Sequence, residues 1–177
     1  MRNSLPLRRI VYSVVLAAVC FASSAKADAL SEGTRAFARK DYVRAAPLLF
    51  VAAEQGSPTA QTYLGYMRQY GLGVPRDYSI AAGWLHKAAE QGEPTAQFLL
   101  GLLFDKGYGV PKDWVEAEVW LNLAAANAGQ KQREYWIRVR DSVAQKLTLD
   151  QLAEAQRRAS GWAPIPYETS AAVSPRN

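Results

Sequence analysis

Residues 59–94 (TAQTYLGYMRQYGLGVPRDYSIAAGWLHKAAEQGEP) are followed without a gap by a second copy of the same unit, 95–130 (TAQFLLGLLFDKGYGVPKDWVEAEVWLNLAAANAGQ). The copies agree at 15 of 36 positions. Most shared residues are Gly, Ala, Pro, Asp and Trp at fixed offsets, which points to turns, caps and packing rather than to chemistry. A fixed period of this length signals stacked supersecondary units that bury their apolar faces only against one another. This restricts the chain to a repeat architecture.

Each copy reads as a pair of antiparallel helices. In the first, Ser57 is a good N-cap and Pro58 a good N1 residue for a helix over 59–70. Gly71 and Gly73 end that helix, because leaving it commonly takes a residue at positive φ. Asp77 then caps a second helix in which Tyr78, Ala81, Trp84, Leu85, Ala88 and Ala89 recur at helical spacing. The next copy repeats the pattern with Gly107, Gly109 and Asp113, and Glu116 at N3 completes the sequence of a capping box. Small residues (Ala60, Gly65 and Ala81, then Ala96, Gly101 and Ala117) are expected where two helix backbones approach. Leu64 and Leu100 belong to the same packed set, and Trp84 and Trp120 are expected to fill the space between neighbouring hairpins.

Residues 28–58 form a shortened first unit. A shift of 36 places Asp41 on Asp77, Ala45 on Ala81 and 52–56 on 88–92, but the G-x-G-V-P insert is missing. The tighter turn resembles that of a tetratricopeptide repeat. After Gln130 the pattern decays. Residues 131–146 read as a charged helix with Trp136, Val139, Val143 and Leu147 along one side. Thr148 and Gln151 form a capping box for a short helix ended by Gly161. Terminal units need a polar outer face to stop further stacking, so 131–161 is read as a C-terminal pair of capping helices. Residues 162–177, rich in Pro, Ser and Thr, read as an extended tail with little structure of its own.

The chain begins with the three parts of a secretory signal: Arg2, Arg8 and Arg9, an apolar run over 10–22, and Ala25-Lys26-Ala27 as an A-x-A cleavage pattern. Residues 1–27 are therefore expected to be a signal peptide cleaved after Ala27, with an uncleaved anchor as the alternative. The run is short for a membrane span. Of 21 basic and 16 acidic residues, the signal holds four basic and no acidic ones, leaving 17 against 16. The alkaline balance thus belongs to the signal, and nothing favours a nucleic-acid partner. Cys20, the one cysteine, also lies in the signal, so the remaining chain is expected to rely on its apolar core.

With these residues in view, the chain resembles Sel1-like repeat proteins, whose unit is similar to A-x-x-x-L-G-x-x-Y-x-x-G-x-G-V-x-x-D-x-x-x-A-x-x-W-x-x-x-A-A. Here that is Ala60, Leu64, Gly65, Gly71, Gly73, Val74, Asp77, Ala81, Trp84, Ala88 and Ala89, and the same set 36 residues on. The usual Tyr is Arg68 in one copy and Phe104 in the other. Some exported relatives carry a cysteine pair in each repeat, which this chain lacks. The resemblance implies an all-α, right-handed α-solenoid of stacked helix hairpins that scaffolds proteins, and implies no catalytic mechanism.

The chemistry available is sparse. The chain has one histidine, His86, read as a solvated surface residue, so nucleophilic catalysis lacks its usual base and a metal site its usual ligands. Asp77 and Asp113 are explained as caps. Gly71-Leu72-Gly73 follows a helix rather than a strand and is no nucleotide loop. No metal, no cofactor and no catalytic residue is expected. Binding is expected instead, since solenoids present long concave surfaces. By analogy with tetratricopeptide hairpins, the first helix of each unit lines that surface through Thr62, Tyr66, Gln69 and Tyr70, then Phe98, Leu102, Asp105 and Lys106. For Phe98 and Leu102, packing against a neighbouring unit stands as an equal reading. The copies differ at Tyr63/Leu99, Tyr66/Leu102, Arg68/Phe104, Gln69/Asp105 and Tyr70/Lys106, positions expected to select the partner. Arg133, Arg138 and Arg140 form a second candidate surface. The expected function is a non-catalytic adaptor of the bacterial envelope, exported to the periplasm, with a protein partner. A glycan- or peptidoglycan-binding protein and a secreted host-interaction factor are the alternatives.

Overall fold

Helical spacing of apolar residues yields helices throughout the computed structural model, which describes residues 28–165. The segment read as a signal and the tail beyond 165 lie outside these residues. The elements are α1 (28–38), α2 (Tyr42–Glu54), α3 (Pro58–Tyr70), α4 (Tyr78–Glu90), α5 (Pro94–Lys106), α6 (Trp114–Ala126), α7 (Gln130–Ala144) and α8 (Leu149–Ser160). Among the described residues there is no strand. Helices α2 to α6 are each 13 residues long, so successive hairpins α1/α2, α3/α4 and α5/α6 stack in register as an α-solenoid.

Local sequence explains the helix boundaries. Asp41, Ser57, Asp77 and Asp113 accept hydrogen bonds from the free amides of α2, α3, α4 and α6. At the other ends, Gly71 and Gly107 are left-handed, with φ of 69° and 71°, a conformation that costs a side-chain-bearing residue about 1–2 kcal/mol. The loops are then pinned, because Asp77 N donates to Arg68 O at 2.9 Å and Asp113 N to Phe104 O at 3.1 Å. The second glycine of each loop has a different reason. A Cβ on Gly73 would collide with the backbone of Tyr42, and one on Gly109 with the backbone of Tyr78. Each G-x-G loop therefore rests on the start of the second helix of the preceding unit.

The hairpins close on a threefold motif. Leu49, Leu85 and Leu121, spaced by 36 and fully buried, would each be struck by a Cβ on Gly33, Gly65 and Gly101 respectively. Ala45, Ala81 and Ala117 are also at 0% exposure. The tryptophans bridge units as their spacing suggests: Trp84 of α4 meets Phe50 of α2 at 6.0 Å, and Trp120 of α6 meets His86 of α4 at 5.7 Å.

At the C-terminal end, helices α7 and α8 both pack on α6, α8 starting at the expected Thr148–Gln151 capping box. Two details there depart from expectation. Glu116 closes no capping box at α6; its carboxylate pairs with Arg158 of α8. Residues 162–165, read as the start of an unstructured tail, instead fold back along the solenoid. Trp162 packs against Trp120 at 6.4 Å, Pro164 covers Gly92, and Ile165 N donates to Glu90 O at 2.8 Å. An indole on an apolar surface and a free helix-end carbonyl outweigh the proline-rich composition there.

Candidate functional site: an inner groove between α1, α3 and α5

The first helices of the three units lie side by side, and between them runs a groove of about 340 Å³. Phe37 of α1, Tyr63 and Tyr66 of α3 and Leu99 of α5 form its apolar walls, with Tyr42 at one side. Phe37 is the hub, 4.6 Å from Tyr63, 5.3 Å from Tyr42 and 6.0 Å from Tyr66 between ring centroids. Thr59, Thr62, Thr95 and Glu93 supply the polar lining. The missing G-x-G insert in the first unit leaves a tight turn, with Lys40 at φ 63°, and this brings Phe37 and Tyr42 to the groove together.

The structure separates the eight residues expected on this face. Thr62 and Tyr66 line the groove. Thr62 is itself mostly buried, donating to Pro58 O at 2.8 Å and lying 3.4 Å from Glu93 Oε2. Tyr70 is exposed and packs on Tyr66 at 4.5 Å, extending the aromatic strip. Gln69 is buried, its amide directed to the Tyr70 hydroxyl.

The four residues from the third unit do not line the groove. Phe98 is in the core, stacked on Trp136 of α7 at 4.9 Å and 11°. Leu102 is half-buried against the same cluster. Asp105 is buried between Lys146, which it pairs with, and Lys106 at 2.8 Å; Lys106 is the exposed one. Burial pushes the Asp105 carboxyl up, but the hydrogen bonds from Lys106 and Lys146 outweigh it and leave it below the usual range. Helix α7 covers this stretch of α5, so the packing reading of Phe98 is the correct one and the exposed reading falls.

The arginines of α7 each have a local partner. Arg133 donates to Ala128 O at 3.2 Å, Arg138 meets Glu134 at 3.6 Å and Arg140 meets Asp141 at 2.6 Å. His86 is exposed, with Nδ1 3.5 Å from Glu90 and its ring edge on Trp120.

Sequence reasoning missed Phe37, Tyr42, Thr59, Thr95 and Glu93. A signal for Glu93 existed: it occupies the N-cap position held by Ser57 one unit earlier. Glu118 was missed as well. It is 2% exposed, sits where the previous unit has Ala82, and keeps Oε2 without a hydrogen-bond partner. Its Oε1 accepts from Asn122 at 3.2 Å. Burial raises its carboxyl to about 7, opposed by Arg140.

Comparison with known proteins agrees with this architecture. The family model described as "Sel1 repeat" matches residues 58–93 and 94–128. Among solved structures, the chain is similar to c5321, a protective antigen of uropathogenic Escherichia coli displaying an SLR fold. That match has 28% identity and a TM-score of 0.71 over 86% of this chain and 33% of the other. It is also similar to a Sel1 repeat protein from Oxalobacter formigenes, with 35% identity and a TM-score of 0.57 over 74% of this chain and 54% of the other. The chain therefore spans a third and about half of these two relatives. No curated protein matches it in sequence. Residues 58–128 thus hold two tandem Sel1 repeats, set in a helix-hairpin stack similar to that of Sel1-repeat proteins.

Proposed function

We propose that this protein is a non-catalytic scaffold of the bacterial cell envelope that holds a protein partner in the groove between α1, α3 and α5. The observation that carries the reading is the groove itself: apolar walls from three successive units, aromatic in the first two, a hydroxyl-rich rim and an exposed Tyr70 continuing the strip. Partner surfaces commonly combine rigid aromatic anchors with polar groups in this way. Sel1 repeats are generally protein-interaction scaffolds, which supports the choice of a protein as partner. The proposed location is the periplasm, on the strength of the signal-like segment at 1–27. No helix among the described residues is long and apolar enough to cross a membrane.

The test is in-cell crosslinking from a photoreactive residue placed at Tyr63, followed by identification of the crosslinked proteins in wild-type and Tyr66→Ala backgrounds. A discrete envelope protein lost in the Tyr66→Ala background supports the reading. An unchanged set of crosslinked proteins, with the fold intact, overturns it. A second reading, glycan binding, is favoured by the adjacency of Tyr63 and Tyr66 rings to the hydroxyls of Thr59 and Thr62. Soluble peptidoglycan fragments that perturb these tyrosines at millimolar concentration would support that alternative.

A further inference from the structure

Helix α5 starts on an acid where the equivalent helix α3 starts on a serine. Both residues cap: Ser57 accepts from Ala60 N, and Glu93 Oε2 accepts from Ala96 N at 2.7 Å. The serine does this without charge. Glu93 does it with a carboxylate, has the Thr62 hydroxyl 3.4 Å from Oε2, and leaves Oε1 without a donor among the described residues. That carboxylate lines the groove, and no lysine, arginine or histidine lines it with Glu93. The remaining polar lining consists of neutral hydroxyls.

We propose that the groove takes an extended peptide segment of the partner whose arginine or lysine side chain lies along the rings of Tyr63, Tyr66 and Phe37 and ends on the carboxylate of Glu93. This rests on the scaffold reading above and names the chemistry of its ligand. Charge complementarity selects the cation, since an anionic segment would be repelled by a carboxylate that no cationic side chain of the groove neutralises. The rings hold the stem and head of the same side chain, because the negative face of an aromatic ring attracts a cation. A planar guanidinium also stacks on rings and bonds a carboxylate in a fork, so arginine is favoured over lysine. The lining comes from α1, α3 and α5 in turn, so a segment laid across the three helices reaches all of it.

The repeat itself supplies the test variant. Glu93→Ser installs the cap that the preceding unit already uses, so it removes the charge while keeping the helix start. Glu93→Gln serves as a second variant that keeps the side-chain length. The probe is acetyl-Ala-Pro-Arg-Pro-Ala-amide, extended by its prolines, titrated into the full chain by 1H–15N NMR beside peptides with Gln or Glu at the central position. The expected result is shifts at Tyr63, Tyr66 and Leu99 with the Arg peptide and roughly tenfold weaker binding of the Gln peptide. Both variants should remove that tenfold preference with the melting temperature unchanged. Equal binding of the Arg and Gln peptides, or retention of the preference in Glu93→Ser, overturns the proposal. So does a failure of the Arg peptide to shift these amides at ~10 mM, a concentration that detects even very weak affinity. If peptidoglycan fragments shift them instead, the groove is a glycan site. If crosslinking from Tyr63 captures an envelope protein while the Arg peptide fails, only the cationic ligand falls and the scaffold reading stands.

Discussion

The second and third units were built on one pattern, yet they have taken up different work. Their shared positions do the same thing twice: Gly65 and Gly101 admit Leu85 and Leu121, Asp77 and Asp113 cap, Trp84 and Trp120 bridge. Their differences run in opposite directions. In the second unit the inner face keeps Thr62 and Tyr66 open to the groove. In the third, Phe98, Asp105, Glu116 and Glu118 all turn to the C-terminal helices, meeting Trp136, Lys146, Arg158 and Arg140. Three of these are acids where the second unit has Gln69, Ile80 and Ala82, and each faces a cation of α7, of α8 or of the turn between them. A repeat next to the end of an array spends its variable positions on holding the cap. A repeat inside the array is free to spend them on a ligand.

If the shared positions are equivalent, breaking either one should cost the same. Gly73→Ala and Gly109→Ala each force a side chain into the backbone of Tyr42 or Tyr78 at positive φ. Each should lose more than ~3 kcal/mol of stability or prevent folding, as measured by urea denaturation. A loss at one and tolerance at the other would break the equivalence.

The largest effect special to the third unit is on pH dependence. Burial holds the Glu118 carboxyl protonated up to about pH 7 in the folded chain, above the ordinary value of 4.5. The groups facing it are Arg140 and Asp141 of α7 and Asn122 of its own helix. Below pH 4.5 it is neutral folded and unfolded alike. Between about 4.5 and 7 only the unfolded chain releases the proton, so stability falls as pH rises, by about 3 kcal/mol in total. Glu118→Gln should remove that slope in denaturation curves at pH 5 and 8; an unchanged slope would show that the carboxylate is solvated. The equivalent position in the second unit, Ala82, has no such dependence to lose.

The common framework was legible in the sequence because caps, turns and close contacts restrict residue type strongly. Ser57, Asp77, Gly71 and Gly65 each have few substitutes, and all four act as their types predict. The face of a helix is less restricted. Phe98 and Leu102 are apolar whether they meet a partner or α7, and only the placement of α7 on α6 decides between them. Asp105 looked like a polar group of the surface, because its partner Lys146 is 41 residues away. Phe37 escaped notice because its unit is degenerate, and Glu93 because capping alone accounts for its position. Trp162 was hidden by the composition of the segment it begins.

The division of labour between the two units is tested most directly by native-state hydrogen exchange on Asp105→Gln/Glu116→Ile, which gives the third unit the residues of the second at two cap-facing positions. Losing the half-buried Lys146 partner and the Arg158 pair should weaken the cap by about 1–2 kcal/mol. Amides of α7 and α8 should then exchange roughly tenfold faster, while those of α2, α3 and α4 keep their rates. Equal acceleration through the whole chain, or unchanged rates in α7 and α8, would contradict the assignment of these positions to the cap.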